Sequence, residues 1–335
     1  MSNGKQKSDE LSDSPIGFKQ KRRIGTILSK FAIYFALLAL MAYFTFMNSA
    51  FISLSNIMNI GRQVAVNGIA AAGMTFVMLT GGIDISVGAV IGLSSVGAAS
   101  LMVAGVHPVL AVLIMVSIGL IIGFINGFFV NEIKIPPMIV TLSTLSIARG
   151  MAFIITGGMP VSRFPHSFTV MGQGRVGYVP IPVIIMLVCF AIAWFVLEKT
   201  TFGRHVYGIG SNPEASRLSG IAVRKVMFLV YGISGMMASF AGTVLLSRVN
   251  SGQPNAGETY ELNIIAAIVI GGVSTKGGEG RIINVLVGLV FMGVLLNGMM
   301  MMNVPAFYQR VAKGIVLLIA ISYDRLSQQR AGRIA

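Results

Sequence analysis

Ten apolar stretches follow one another along this chain, and most are long enough to cross a lipid bilayer. A membrane-spanning helix needs about 17–25 predominantly apolar residues. Such runs fall near residues 27–47, 64–80, 86–104, 108–130, 137–156, 180–197, 226–247, 262–275, 282–302 and 308–323. The expected fold is all-α, a polytopic membrane protein of about ten transmembrane helices. The eighth run is short, and the Gly81–Gly82 and Gly271–Gly272 pairs are expected to mark broken or re-entrant segments. Charged residues make up only 11% of the chain, against about 25% in soluble domains.

The basic residues orient these runs. With the N-terminus inside, the inner segments hold eighteen Lys and Arg and the outer ones five. Cytoplasmic loops carry such an excess, so both termini are expected in the cytoplasm. The net charge of +14 then reflects contact with anionic lipid head groups, not nucleic acid. Three segments are expected: a disordered cytoplasmic tail at 1–26, a transmembrane domain at 27–324 and a cytoplasmic tail at 325–335. Residues 1–24 are polar and show no cleavable signal peptide. Cys189 is the single cysteine and lies in an apolar run, so no internal disulfide or cysteine metal site forms.

The longest polar interruption between apolar runs is 198–225, which carries five basic residues and is placed in the cytoplasm. A short helix is punctuated within it. Asn212 is an N-cap, Pro213 takes the first helical position and Glu214 suits the positive end of the dipole. Arg217 lies near the other end, and Gly220 closes the helix in a left-handed cap. A rod of roughly 10 Å held out between spans is shaped for a cytoplasmic partner; the plainer alternative is a connecting loop. Two outer segments, 157–179 and 248–261, are long enough to receive an extracytoplasmic partner or to serve as connectors.

No catalytic constellation is present. The three histidines lie in or beside loops, there is no nucleophile elbow, and no P-loop binds ATP. No cofactor or metal is expected. Ten of the eleven acids fall in tails, loops or span ends. Asp84 is the exception, at a helix break with Thr80 and Ser86 beside it. A carboxylate there pairs or faces water, so Asp84 either presents a polar group to a pathway or caps the following span. Arg149 sits in the most polar span, near Thr141. Asn67, Asn126, Asn263 and Asn297 are amides within or beside spans, suited either to a neutral hydroxylated substrate or to joining helices. One candidate acid is too few for most ion-driven carriers. An ion-coupled secondary carrier therefore stands as the alternative function, and an intramembrane enzyme lacks the cluster it would need. The row Gly119, Gly123 and Gly127 reads as helix packing. A weak echo between 68–84 and 262–274 hints at an internal repeat.

Several longer stretches resemble one family in the same order: SNIMNIGRQ (55–63), GMTFVMLTGGIDISVGA (73–89), TLSTLSIARG (141–150), TTFGRHVYGIGSNPEASRLSGI (200–221), YELNIIAAIVIGGVSTKGGEGRI (260–282) and FYQRVAKGIVLLIAISYD (307–324). The chain resembles the membrane-spanning permease subunit of bacterial ABC importers for monosaccharides, the ribose/xylose/galactose group, with GGIDISVG nearest the ribose type. The resemblance implies a permease pair in the inner membrane. It further implies a cytoplasmic ATPase with two nucleotide-binding halves and an extracytoplasmic sugar-binding protein. It implies that 201–221, including Gly203 and Arg204, is the coupling segment, with 212–220 docked on the ATPase. The outer arginines Arg62, Arg163 and Arg175 are expected to pair with acids of the binding protein.

Overall fold

The computed structural model describes residues 33–330, so the expected tail at 1–26 and the last five residues lie outside the described residues. Helix α1 spans Ile33–Met47. It is followed by α2 (Leu54–Leu79), α3 (Val87–Val103), α4 (Pro108–Asn131) and α5 (Pro137–Thr156). A four-residue α6 (Val170–Gln173) and a two-stranded ribbon, β1 (Arg175–Val176) with β2 (Val179–Pro180), lead into α7 (Ile181–Lys199). Then come α8 (Thr201–Ser211), α9 (Pro213–Leu218), α10 (Val223–Val249), α11 (Tyr260–Ile270), α12 (Ile282–Met301) and α13 (Ala306–Arg330). Seven of these, α2, α4, α5, α7, α10, α12 and α13, are long and apolar enough to cross a membrane. The chain is a multi-pass membrane protein. At the other three expected runs stand shorter helices, α1, α3 and α11.

The centre is built from α2 and α10, the most buried of the spans. Both are rich in Ala, Gly and Ser rather than Leu and Phe. In lipid nothing drives large apolar side chains inward, so small residues that let backbones approach take the core. The glycine row of α4 shows this. A methyl on Gly123 would sit 2.8 Å from Gly232 Cα, and one on Gly119 would sit 2.5 Å from Gly235 O. The row is the seat of α4 on α10. In contrast, none of the apolar stretch of α13 is buried.

Both Gly-Gly pairs end a helix. Gly81 and Gly272 take left-handed φ angles of 81° and 80° just after α2 and α11. The two following turns meet: Gly278 N–H donates to Leu79 O at 2.8 Å. Another departure from helix lies at 250–259 between α10 and α11. It lies within 248–261, which was expected to be an outer polar segment, either receiving a partner or serving as a connector. Instead it descends along α3. Gly252 lies beside Ser95 and Ala99, the carbonyl of Ala256 beside Gly92, and Gly257 beside Gly88. Those α3 residues recur every three or four positions and form one groove of small side chains. α11 therefore starts part-way through the protein and, with 11 residues, is only about 16 Å long.

Candidate functional site

Four places gather the polar residues singled out by the sequence. The first is the interruption between α7 and α10. It holds two helices, not the single one expected. Thr200 caps α8 by accepting from Gly203 N–H at 3.3 Å, and Gly203 is buried in the elbow against α7. The second helix, α9, matches the expected caps. Asn212 Oδ1 accepts from Ala215 N–H at 2.9 Å, Pro213 is the first helical residue, and Gly220 has φ +82°. Arg217 donates to both carboxylate oxygens of Glu214, at 3.1 and 2.6 Å. That hydrogen bond, with the guanidinium charge, holds the Glu214 carboxyl below its ordinary range. Of α9 only Ser216 is buried, while Leu218 is 75% exposed. Arg204 is also exposed. Tyr207 on α8 donates to Gly280 O at 2.9 Å, tying α8 to the turn after α11. Arg224, on the first turn of α10, forms a bidentate pair with Glu132 at the end of α4.

The second place is the break between α2 and α3. Asp84 is 0% exposed. Its Oδ1 accepts from Ser86 N–H at 3.1 Å and from Ser86 Oγ at 2.5 Å, and its Oδ2 accepts from Ser234 Oγ at 2.7 Å. Asn126 donates to Ser86 Oγ at 3.1 Å and accepts from Thr144 Oγ1 at 2.5 Å. Thr141 donates to Pro137 O at 2.9 Å and reaches Ile83 O at 3.4 Å. One network thus joins α3, α4, α5 and α10, bringing Asp84, Ser86, Asn126 and Thr141 together. Thr80 stands apart and bonds back to Val77 O at 2.8 Å.

The third place is Arg149 on α5. Its Nη1 donates to Pro254 O at 2.8 Å and to Ala256 O at 2.7 Å. Non-helical backbone at membrane depth survives only where protein satisfies it, and Arg149 supplies that satisfaction. Glu261, in the first turn of α11, lies in the electrostatic neighbourhood of Arg149 and Lys313. The sequence reading counted this acid with loops and span ends, yet it is half-buried beside Gly88. Asn67 and Asn263 lie on α2 and α11, each with a buried Oδ1 that has no hydrogen-bond partner.

The fourth is a cavity of about 680 Å³ whose lining includes Arg62, Arg175 and Arg248 with the amides of Asn56, Asn59 and Asn297. Asn56 and Asn297 exchange two hydrogen bonds at 2.9 and 3.0 Å at its wall. No acidic side chain lines it among the described residues. Two of the three outer arginines expected to act together, Arg62 and Arg175, meet here; Arg163 does not line the cavity and is exposed on the preceding loop. Arg248 was not singled out from sequence, although it opens the polar stretch after α10.

Comparison with known proteins identifies this arrangement. The family described as the permease component of the branched-chain amino acid transport system matches residues 56–321. The chain belongs to that permease family. Within it, the ribose import permease protein RbsC of Bacillus subtilis (strain 168) is 44% identical over 92% of this chain and 96% of its own length. RbsC of Escherichia coli (strain K12) is 40% identical over 88% of this chain and 92% of its own. The L-arabinose transport system permease protein AraH of Escherichia coli (strain K12) is 36% identical over 83% of this chain and 85% of its own. No solved structure matches the chain. The permease gathers polar side chains from its spans around two breaks in helix, at Asp84 and at 250–259.

Proposed function

We propose that the chain is the membrane-spanning subunit of an ATP-driven importer of ribose or a similar monosaccharide. Its similarity to ribose import permeases across most of its length carries this reading. The termini and the 198–225 segment lie in the cytoplasm, which the eighteen-to-five distribution of basic residues supports. Ten crossings follow if α1, α3 and α11 complete passages that the seven longer helices make alone. The transmembrane domain is 27–324, with tails at 1–26 and 325–335.

The motor is a separate ATPase with two nucleotide-binding halves, docked on α8 and α9 through Arg204, Asn212, Pro213, Glu214, Arg217 and Gly220, while Gly203, expected among these contacts, is buried against α7 and sets the elbow. A helix so exposed, capped at both ends and carrying its own ion pair is already rigid before it binds. Two permease chains, either two copies of this one or two related chains, form the pathway. An extracytoplasmic sugar-binding protein docks over the arginine cavity, where Arg62 and Arg175 await carboxylates, and on the exposed loop that carries Arg163. The polar residues of the interior divide their work. Asp84, Ser86, Asn126 and Thr141 hold the α2–α3 break in shape with Thr80 at its edge. Asn67, Asn263 and Asn297 offer amides toward the route, and Arg149 holds the 250–259 segment.

Reconstitution in liposomes tests this. Uptake of ribose is expected only with ATP, the ATPase and the binding protein together. Sugar accumulation by the permease alone on an ion gradient would replace the proposal with a secondary carrier.

A further inference from the structure

Charged side chains line a face that the described residues leave open at Asn255, Glu258 and Arg310, with Arg149, Glu261 and Lys313 half-buried behind it. Depth can be read from the turn after α11, where Asp324 accepts from Thr275 Oγ1 at 2.9 Å. Lys313 lies eleven residues up α13 from Asp324, about 16 Å. Glu261 lies nine residues up α11 from Ile270, about 14 Å. Arg149 is twelve residues along α5 from Pro137, about 18 Å. In a hydrocarbon core about 30 Å thick these three are central. Glu258 pairs with Arg310 at 3.6 Å, fourteen residues and about 21 Å up α13 from Asp324, and the two side chains are 55% and 59% exposed. Charges at that depth line protein or water, not lipid.

The backbone between α10 and α11 is arranged to present side chains to that face. Arg149 grips the carbonyls on either side of Asn255, those of Pro254 and Ala256. The carbonyls turn inward, and Asn255 is exposed. Gly88 and Gly92 give the segment room, since a methyl on either would sit 2.6 Å from the carbonyls of Gly257 and Ala256. Thr259 takes a φ of +67° just before α11, an uncommon conformation for a β-branched residue that surrounding structure must hold in place.

We infer that residues 254–258 are the sugar-contacting element of the route, with Asn255 and Glu258 reading hydroxyl groups and Arg149 acting as the positioning residue behind them. This rests on the importer reading. The chemistry favours an uncharged polyol over an ion, because the front offers both signs of charge together with an amide. An exposed ion pair 3.6 Å apart has acceptor and donor capacity to spare for hydroxyls. A discontinuous helix that begins near the midplane is where transporters commonly hold their cargo.

The test uses liposomes containing the permease, its ATPase and its binding protein. Asn255→Ala and Glu258→Gln are expected to lower ribose uptake about ten-fold or more, the loss of one or two polar contacts to a charged or amide group. The ATP hydrolysed per sugar taken up should rise, and the preference for ribose over its 2-deoxy analogue should shift. Ser117→Ala on the exposed face of α4 serves as the control and keeps wild-type uptake. Independently, Asn255→Cys in a Cys189→Ser background is expected to react with a charged, membrane-impermeant thiol reagent. Unchanged uptake and sugar preference in both variants, or a Cys at 255 that reacts only with lipid-soluble reagents, would overturn the inference. Wild-type protein that takes up no sugar with all partners present would instead overturn the importer reading, and the thiol experiment would still decide whether this face is wet.

Discussion

Replacing Arg149 with Met removes the two donors that hold the non-helical segment 250–259. Its Nη1 bonds to Pro254 O and Ala256 O at 2.8 and 2.7 Å. Leaving a buried acceptor unpaired costs about 1–3 kcal/mol. Polar contacts between membrane helices measure lower, about 0.6 kcal/mol on average and 1.7 at most. For two bonds the expected loss is therefore about 1–4 kcal/mol, concentrated in the segment they hold. The amides of Ala256, Glu258 and Tyr260 report on it, since each closes a turn within or just after that segment. Hydrogen exchange in lipid nanodiscs should show them opening roughly 5- to 1,000-fold faster in Arg149→Met, while the amides of α2 and α10 stay protected. Arg149→Lys keeps the charge but not the planar fork, and should recover only part of the protection. Exchange at 251–260 equal to wild type in the Met variant would refute the reasoning that Arg149 anchors this stretch.

Asp84→Ala strips acceptors from Ser86 N–H, Ser86 Oγ and Ser234 Oγ. It is expected to cost about 3 kcal/mol or more of stability, read as a lower unfolding temperature in detergent, with Asp84→Asn milder. Exchanging Glu214 and Arg217 for the opposite charges together is expected to abolish ATP-driven uptake while the protein still inserts, with the ATPase co-purifying poorly. The Glu214–Arg217 pair contributes fully above the ordinary carboxylate pKa and is lost only as pH falls through the lowered folded value. Uptake should accordingly be flat between about pH 6 and about pH 8 as far as this pair is concerned. Gly210→Ala on α8 should uncouple ATP hydrolysis from uptake in a protein that still purifies as a single species.

What the sequence disclosed was local. The caps of α9 are written in nine adjacent residues, Asn212 to Gly220, and the glycine row of α4 is written in one helix. Both were legible because the chemistry that decides them lies within a turn or two. α8 was missed because Gly203, Gly208 and Gly210 lower helix propensity. Packing against α7 and the turns after α2 and α11 overrides that weakness. The descent of 250–259 was misread because polarity in a single chain signals water, and the partner that makes it tolerable lies about a hundred residues away. The same distance hid which polar residues meet. Asp84 finds Ser234, 150 positions on, and Asn56 finds Asn297, 241 positions on. The place of Glu261 within the membrane followed from the same misreading.

Close contacts also connect α8 and α9 to the interior. Gly210 on α8 sits against both Leu79 O and Gly278, so that any side chain there would force α8 away from the ends of α2 and α11 together. The turns are joined to each other by Gly278 N–H and Leu79 O. Tyr207 adds a second hold on the turn after α11. Close-packed contacts of this kind shift as a unit rather than deform. A displacement of α8 and α9 is therefore passed to two places at once. One is the α2–α3 break, where Asp84 holds α10. The other is α11, a stiff rod of about 16 Å whose far end carries Glu261 and the segment gripped by Arg149. Gly210 and Gly278 are what permit α8 to lie this close, so the ends of α2 and α11 are held to α8 and move with it.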